Sequence, residues 1–102
     1  MADITVTNNT GAHRFEVSLE GEVAFAEYRM HPGVIELPHT VVPPAFEGKG
    51  VASALARYAF GHAREHGLKV NPTCPFMAGW VKKHADQQDL LEPAAKRRLG
   101  LA

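Results

Sequence analysis

Only one cysteine, Cys74, stands in the 102 residues, so no disulfide can close within the chain. A lone thiol fits a reducing compartment, and a cytoplasmic location is expected. An excess of charge of one sign is also missing. Eleven basic residues balance eleven acidic ones, so no overall field draws the chain to nucleic acid or to an anionic membrane. No apolar run approaches the length of a membrane span. Met1-Ala2-Asp3-Ile4-Thr5 has no basic segment followed by an apolar stretch, so no signal peptide is expected. With no internal repeat, linker or low-complexity segment, the expectation is one small domain over 1–102.

What is present is a change of period partway along the chain. Ile4-Thr5-Val6-Thr7 alternates and reads as an edge strand, closed by the turn residues Asn8-Asn9-Thr10-Gly11. Phe15, Val17 and Leu19 share one face of a second strand. Gly21 marks a tight turn, and 23–30 reads as the returning strand. Pro32-Gly33 is a further turn before 34–37 and 39–42, which Pro38 either divides or bulges. From 50 to 66 the period is helical, with Val51, Leu55, Tyr58, Ala59 and His62 along one stripe. Ala52, Ala56, Phe60 and Ala63 broaden it, and so many alanines imply close packing on a sheet. Gly67 stops that helix. A short strand over 68–71 follows, and strand, helix, strand in this order implies a right-handed parallel crossover. A second helix over 76–84 should bury Phe76, Met77, Trp80 and Val81, with short helices at 86–91 and 94–99 around Pro93. The stretch 93–102 is a short helix or a tail. Phe15, Phe25 and Trp80 are read as core. The fold class is α+β with a mixed sheet, antiparallel strands first and then β-loop-α-β-α.

The pivot of this order is Val41-Val42-Pro43-Pro44-Ala45-Phe46-Glu47-Gly48-Lys49-Gly50-Val51-Ala52-Ser53. A β-branched strand ends at two prolines, a loop with two glycines follows, and a helix opens directly behind it. The first turn of a helix leaves N–H groups without partners, and the macrodipole adds positive charge there. Glycines let an anion approach the main chain. The P-loop spacing G-x-x-x-x-G-K-[ST] is absent.

Glu47-Gly48-Lys49-Gly50-Val51-Ala52 resembles the Q/R-x-x-G-x-G/A signature of GNAT-type N-acetyltransferases. Taken with His39-Thr40-Val41-Val42-Pro43 and Asn71-Pro72-Thr73-Cys74-Pro75-Phe76, the chain is similar to a small stand-alone GNAT-like branch. The resemblance implies acetyl-CoA as co-substrate, an amine as acceptor, and no metal. That amine would be a small molecule or a protein lysine or N-terminus. The pyrophosphate would rest on the main chain of Gly48, Lys49, Gly50, Val51 and Ala52, with Ser53 adding a hydroxyl. The pantetheine arm would run along 39–42, past Val41 and Val42. Two departures stand out. Glu47 occupies a Gln or Arg position, so its side chain should stand clear of the phosphates. The helices that usually follow the first strand are missing, so the acceptor site is open, small or completed by a partner.

Acetyl transfer needs a positioned thioester, a route for the amine proton and donors for the developing oxyanion. Cys74 is the sharpest candidate, expected just past the strand that splays from the cofactor strand. There it would take the acetyl group or lie beside it, since a helix N-terminus favours a thiolate. The bland alternative is a small buried core cysteine. His39 is the candidate base, because histidine titrates near neutral pH; its alternative is a strand histidine satisfied by hydrogen bonds. Glu36 is the fallback base, acting through water. His84 with Lys82 and Lys83 would meet the 3′-phosphate or form a solvated helix face. His62 and His66 are four apart on a helix, but no Glu follows His62 and no cysteine pair assists, so no metal site is expected. Two rival functions remain open. One is a CoA-binding regulatory module without turnover. The other is a partner-binding domain with no cofactor, using Lys96-Arg97-Arg98 as its contact.

Overall fold

The computed structural model describes residues 4–46 and 48–101. Five strands form one sheet in sequence order: β1 (Thr7–Asn9), β2 (Arg14–Leu19), β3 (Glu22–His31), β4 (Val34–Val41) and β5 (Lys69–Asn71). The first four are antiparallel, and β5 joins parallel to β4. Between β4 and β5 runs α1 (Val51–Glu65), the expected crossover helix. After β5 come α2 (Pro75–Lys82), a 3₁₀ segment (Ala85–Leu90) and α3 (Pro93–Arg98). The mixed sheet and the order β-loop-α-β-α stand as the patterns indicated.

One sheet face carries the core. Phe15, Val17, Ala24, Ala26, Ile35 and Leu37 are buried there, and α1 lies across β2 and β3. The helix turns Val51, Leu55, Ala56, Ala59, Phe60 and Ala63 inward, each at most 1% exposed. The small side chains at 56, 59 and 63 let the backbone approach the sheet closely. Phe60 and Trp80 meet at 5.2 Å between ring centroids, which ties α1 to α2. Among the described residues no helix lies over the other face of the sheet.

Three local expectations need correction. The first strand is Thr7–Asn9 rather than 4–7, because Asn8 and Asn9 have structural work in the strand. The Asn9 side chain donates to Glu16 and accepts the Ala12 N–H, and Asn8 accepts the Tyr28 hydroxyl. Phe25 is not core: it pairs with Glu16 on the bare face, where the Arg14 guanidinium lies 4.3 Å above its ring. Phe76, at the start of α2, is 36% exposed while Met77, Trp80 and Val81 are buried. Within the basic Lys96-Arg97-Arg98 cluster one side chain is tied down. Arg98 donates to the Asn71 side chain and to the Pro72 carbonyl.

β4 is one continuous strand with a bulge in it. Glu27 pairs with His39 and Arg29 with Glu36, so two residues, Leu37 and Pro38, stand opposite Tyr28 alone. Proline brings no N–H to the ladder, and bulges are where a strand tolerates it. The extra residue shifts the side-chain alternation by one. Ile35 and Leu37 face α1, but beyond the bulge it is Thr40, paired with Ala26, that shares that face. Glu36 and His39 therefore emerge together on the bare face.

The tight seat of α1 gives a direct stability prediction. Ala59→Leu inserts a branched side chain where none fits and should cost about 1–3 kcal/mol in urea-induced unfolding; an unchanged midpoint would mean that α1 packs less closely than described.

Candidate active site

The glycine loop leaves main-chain donors open to a cleft. A 3₁₀ turn (Pro44–Phe46) leaves β4, anchored by the buried Phe46. Gly48 and Gly50 follow with φ of 76° and 74°, a backbone conformation that L side chains resist. A Cβ built at either would meet no protein atom within 4 Å, so the space in front of them is open. Gly50 is the N-cap of α1 and supplies no side-chain cap, and no acidic residue lies in the first turn. The first helical bond runs from Ala54 N–H to Gly50 O at 3.0 Å. The N–H groups of Val51, Ala52 and Ser53 thus have no intrahelical acceptor. A cleft of about 320 Å³ fronts them, lined by Val42, Phe46, Gly48, Gly50, Val51, Ala52 and Ser53. Lys49 is exposed and outside that lining, its own N–H bonded to Phe46 O. Glu47 lies outside the described residues, and so does the expectation about its side chain.

Ser53 also borders a second cleft of about 340 Å³, walled by Pro75, Phe76, Gly79, Trp80, Lys83 and His84 of α2 and its exit. The His84 ring stacks on Trp80 at 3.9 Å, and its Nδ1 donates to Trp80 O at 2.6 Å. Lys82 does not line this cleft. Trp80, read from sequence as core alone, is both 5% exposed and a wall of the cleft. Its indole N–H has no acceptor among the described residues.

The strands β4 and β5 part beside the bulge. Their ladder runs Val34↔Lys69, Ile35↔Val70 and Glu36↔Asn71 and then stops. One further link closes the apex, from Cys74 N–H to Leu37 O at 2.9 Å. Tyr28 directs its N–H away from β4, toward His13 O. Glu27 therefore turns its main chain toward β4 and its partner His39 turns toward β3, which leaves Thr40 with N–H and C=O facing the gap. The Cys74 thiol donates to Thr40 Oγ1 at 3.4 Å across that gap. Cys74 is 5% exposed. Thr40 is the residue that sequence reasoning passed over; the signal was Pro38, which resets the alternation after it.

On the bare face, His39 and Glu36 belong to a polar group with Glu27, Arg29 and His31. The Glu36 carboxylate accepts from His31 Nε2 at 3.0 Å and from Thr73 Oγ1 at 3.2 Å. The His31 hydrogen bond holds its pKa below the ordinary value; partial burial opposes this, while Thr73 and the Arg29 charge add to it. His39 is exposed. Cys74 with Thr40 thus borders the gap on the helix side, and His39 with Glu36 stands on the opposite face. Val41 is 45% exposed on that same bare face beside Phe25, whereas Val42 lines the loop cleft. His62 and His66 stack at 4.1 Å, with His66 Nδ1 bonded to His62 O. Burial, with the His66 charge adding, lowers the pKa of His62. No cluster of three or more metal-ligating side chains occurs among the described residues, and none of their helices is long and apolar enough to cross a membrane.

A glycine loop at the start of the crossover helix, beside a gap opened in a mixed sheet, defines an acyltransferase fold of the GNAT class. The profile of the GCN5-related N-acetyl-transferase family matches residues 14–90, and the chain belongs to that family. It is similar to the protein NATD1 of Homo sapiens, 33% identical over 85 residues that cover 79% of this chain and 74% of that one. The NATD1 of Xenopus tropicalis is 33% identical over 87 residues, covering 81% and 79%. Among solved structures it resembles a GCN5-like protein from Staphylococcus aureus, with a TM-score of 0.70, 27% identity, and coverage of 90% of this chain and 91% of that one.

The linkage at Glu36 has a definite sign. Its folded pKa lies below the unfolded value of about 4.3. The stability it contributes is present above that unfolded value and is lost as pH falls through the folded pKa. Glu36→Gln should therefore lower stability by about 0.5–1.5 kcal/mol at pH 7 and flatten the acid limb below pH about 5. Urea denaturation at pH 7 and pH 3 measures both, and a parallel loss at the two values would contradict the assignment.

Proposed function

We propose that the protein binds acetyl-CoA and transfers its acetyl group to an amine. The observation that carries this reading is the parted pair β4 and β5, with the glycine cradle at one end of the gap and titratable groups across it. Bound there, acetyl-CoA supplies an activated acyl thioester. The N–H groups of Val51, Ala52 and Ser53 hold the pyrophosphate, Gly48 and Gly50 keep side chains out of its way, and Ser53 offers a hydroxyl. Lys49, its N–H already bonded to Phe46 O, shapes the loop rather than donating to the pyrophosphate. Val42 and the main chain of Thr40 flank the pantetheine arm, with Val41 holding that segment to β3. Lys83 and His84, rather than Lys82, stand beside the 3′-phosphate.

Cys74 and Thr40 line the gap on the helix side, and the amine approaches from the bare face. Its nitrogen bonds to the acyl carbon, the carbon–sulfur bond breaks, and CoA leaves as thiolate. His39 takes the proton that the nitrogen releases. Glu36 is a poorer base, because two hydrogen bonds already stabilise its ionised form. Cys74 lies beside the reacting centre and is not itself acylated, since its thiol is buried and engaged with Thr40. The lone cysteine fits a cytoplasmic location, and the chain 1–102 acts as a single domain.

Calorimetry with acetyl-CoA tests the core of this reading: saturable binding is expected, and no heat at millimolar ligand would end it. Gly50→Glu should abolish that binding through backbone strain and charge facing phosphate. With an amine acceptor, His39→Ala should lower kcat about 10²–10⁴-fold near neutral pH while acetyl-CoA affinity persists. Intact mass after incubation with acetyl-CoA should show no added acetyl; a gain that Cys74→Ser removes would instead place the group on Cys74.

A further inference from the structure

The hydroxyls of Thr73 and Thr40 border the opening between β4 and β5, and they are engaged differently. Thr73 Oγ1 gives its hydrogen to the Glu36 carboxylate at 3.2 Å. Thr40 Oγ1 instead accepts from the Cys74 thiol at 3.4 Å, and its own hydrogen has no acceptor among the described residues. A hydroxyl carries one hydrogen and rotates to suit its surroundings. With the thiol hydrogen against one side of the oxygen, the hydroxyl hydrogen of Thr40 is left to a group in the opening, which its main chain also faces. Thr40 is half-buried and Cys74 is 5% exposed, so little water competes for the pair. Neither tyrosine is placed to act here. Tyr28 gives its hydroxyl hydrogen to Asn8 at 2.8 Å, and Tyr58 packs on α1 against Phe15 of β2.

Cys74 is also the N-cap of α2, and its carbonyl accepts the first bond of that helix, from Ala78 N–H at 3.0 Å. Pro75 brings no N–H, and those of Phe76 and Met77 have no intrahelical acceptor. No acidic residue stands in that first turn. The positive end of the α2 dipole therefore lies at the same opening. A hydroxyl hydrogen without an acceptor and a helix N-terminus converge where negative charge is favoured. We propose that the departing sulfur is received there: the Thr40 hydroxyl is a catalytic donor to the CoA thiolate, and Cys74 is the positioning residue that turns it. This rests on the acetyl-transfer reading above. As the amine nitrogen bonds to the acyl carbon, the carbon–sulfur bond breaks and its electron pair stays on sulfur. The proton released by nitrogen goes to His39 on the opposite face, so the sulfur leaves charged. A donor already in place stabilises that charge without transferring a proton to it. Cys74 remains a thiol throughout.

The test follows the ultraviolet absorbance of the CoA thiolate in the complex as pH is raised. The complex with desulfo-CoA, which lacks the sulfur, serves as the blank and removes Cys74 from the signal. In wild-type protein the bound thiol should ionise at lower pH than that of free CoA. Thr40→Val keeps the side-chain shape and removes the donor. It should raise that ionisation by about one to two pH units while desulfo-CoA affinity stays within twofold. Thr40→Ser should titrate as wild type does. Cys74→Ala should shift the ionisation in the same direction, and Cys74→Ser, which still donates to Thr40, should restore it. With an amine acceptor, Thr40→Val should lower kcat about tenfold to a hundredfold. Bound CoA that ionises as free CoA does, or equally in wild type and Thr40→Val, would overturn the proposal. If Thr40→Val does not fold, an unshifted Cys74→Ala overturns it in the same way. Desulfo-CoA that fails to bind at millimolar concentration would overturn the cofactor reading and this proposal with it, whereas binding without the shift overturns this proposal alone.

Discussion

Proline at position 38 leaves β4 without one donor, and the strand answers by setting Leu37 and Pro38 together against Tyr28. A sheet has a side-chain period of two, so one extra residue exchanges the faces of everything beyond it. Without that slip His39 and Val41 would follow Ile35 and Leu37 beneath α1, where an imidazole would lie against apolar side chains. With it, Thr40 takes the helix side and His39 joins Glu36 on the bare side. The same irregularity ends the β4–β5 ladder after Glu36↔Asn71. The gap between β4 and β5 thus opens at one backbone defect. Cys74 N–H to Leu37 O closes its apex, so the opening has a fixed start.

The loop and the gap depend on one another through α1. The helix must cross back over the sheet to bring β5 beside β4, and Ala56, Ala59 and Ala63 let it do so at close range. That closeness fixes where the N-terminus lies, and Gly50, in a left-handed conformation, turns the chain into it. The N–H groups of the first turn then face a cleft that borders Val42 and shares Ser53 with the cleft of α2. Because these donors are main-chain groups, they are presented whatever side chains stand at 51 and 52.

Much of this was legible beforehand, and the failures have physical causes. The strand–glycine loop–helix unit, the parallel crossover and the alanine-lined face of α1 follow from period and turn chemistry alone. Family membership was readable in the loop together with the Pro-x-Cys-Pro segment. Pro38 signalled either a break or a bulge, and only the register distinguishes them, since both leave the same residues. The choice decides which side of the sheet His39 occupies, so the site was less legible than the fold. Asn8 and Asn9 read as turn formers because their own side-chain bonds cannot be seen in sequence; in the strand those bonds go to Glu16, Ala12 and Tyr28. Phe25 looked like core because apolar character does not reveal which face is roofed. Arg98 showed in sequence only as part of a basic cluster, because its partners Asn71 and Pro72 are 27 and 26 residues away.

A sheet this small has few ways to cover its edges, and each edge is treated differently. β1 is only three residues long, which leaves little edge for another chain to pair with. The β5 side is closed by the C-terminal segment: Leu91 forms a parallel bridge to Val70, Glu92 N–H bonds to Val70 O, and Arg98 fastens the Asn71–Pro72 corner. The stretch of β3 past Arg14 receives neither treatment. It is flanked by a turn that bends away, carries an exposed methionine, and stands one strand from His39 and Glu36. Main-chain groups left open at a strand end invite another chain, and the stretch at Met30 carries that exposure while the other edges of the sheet are shortened or fastened.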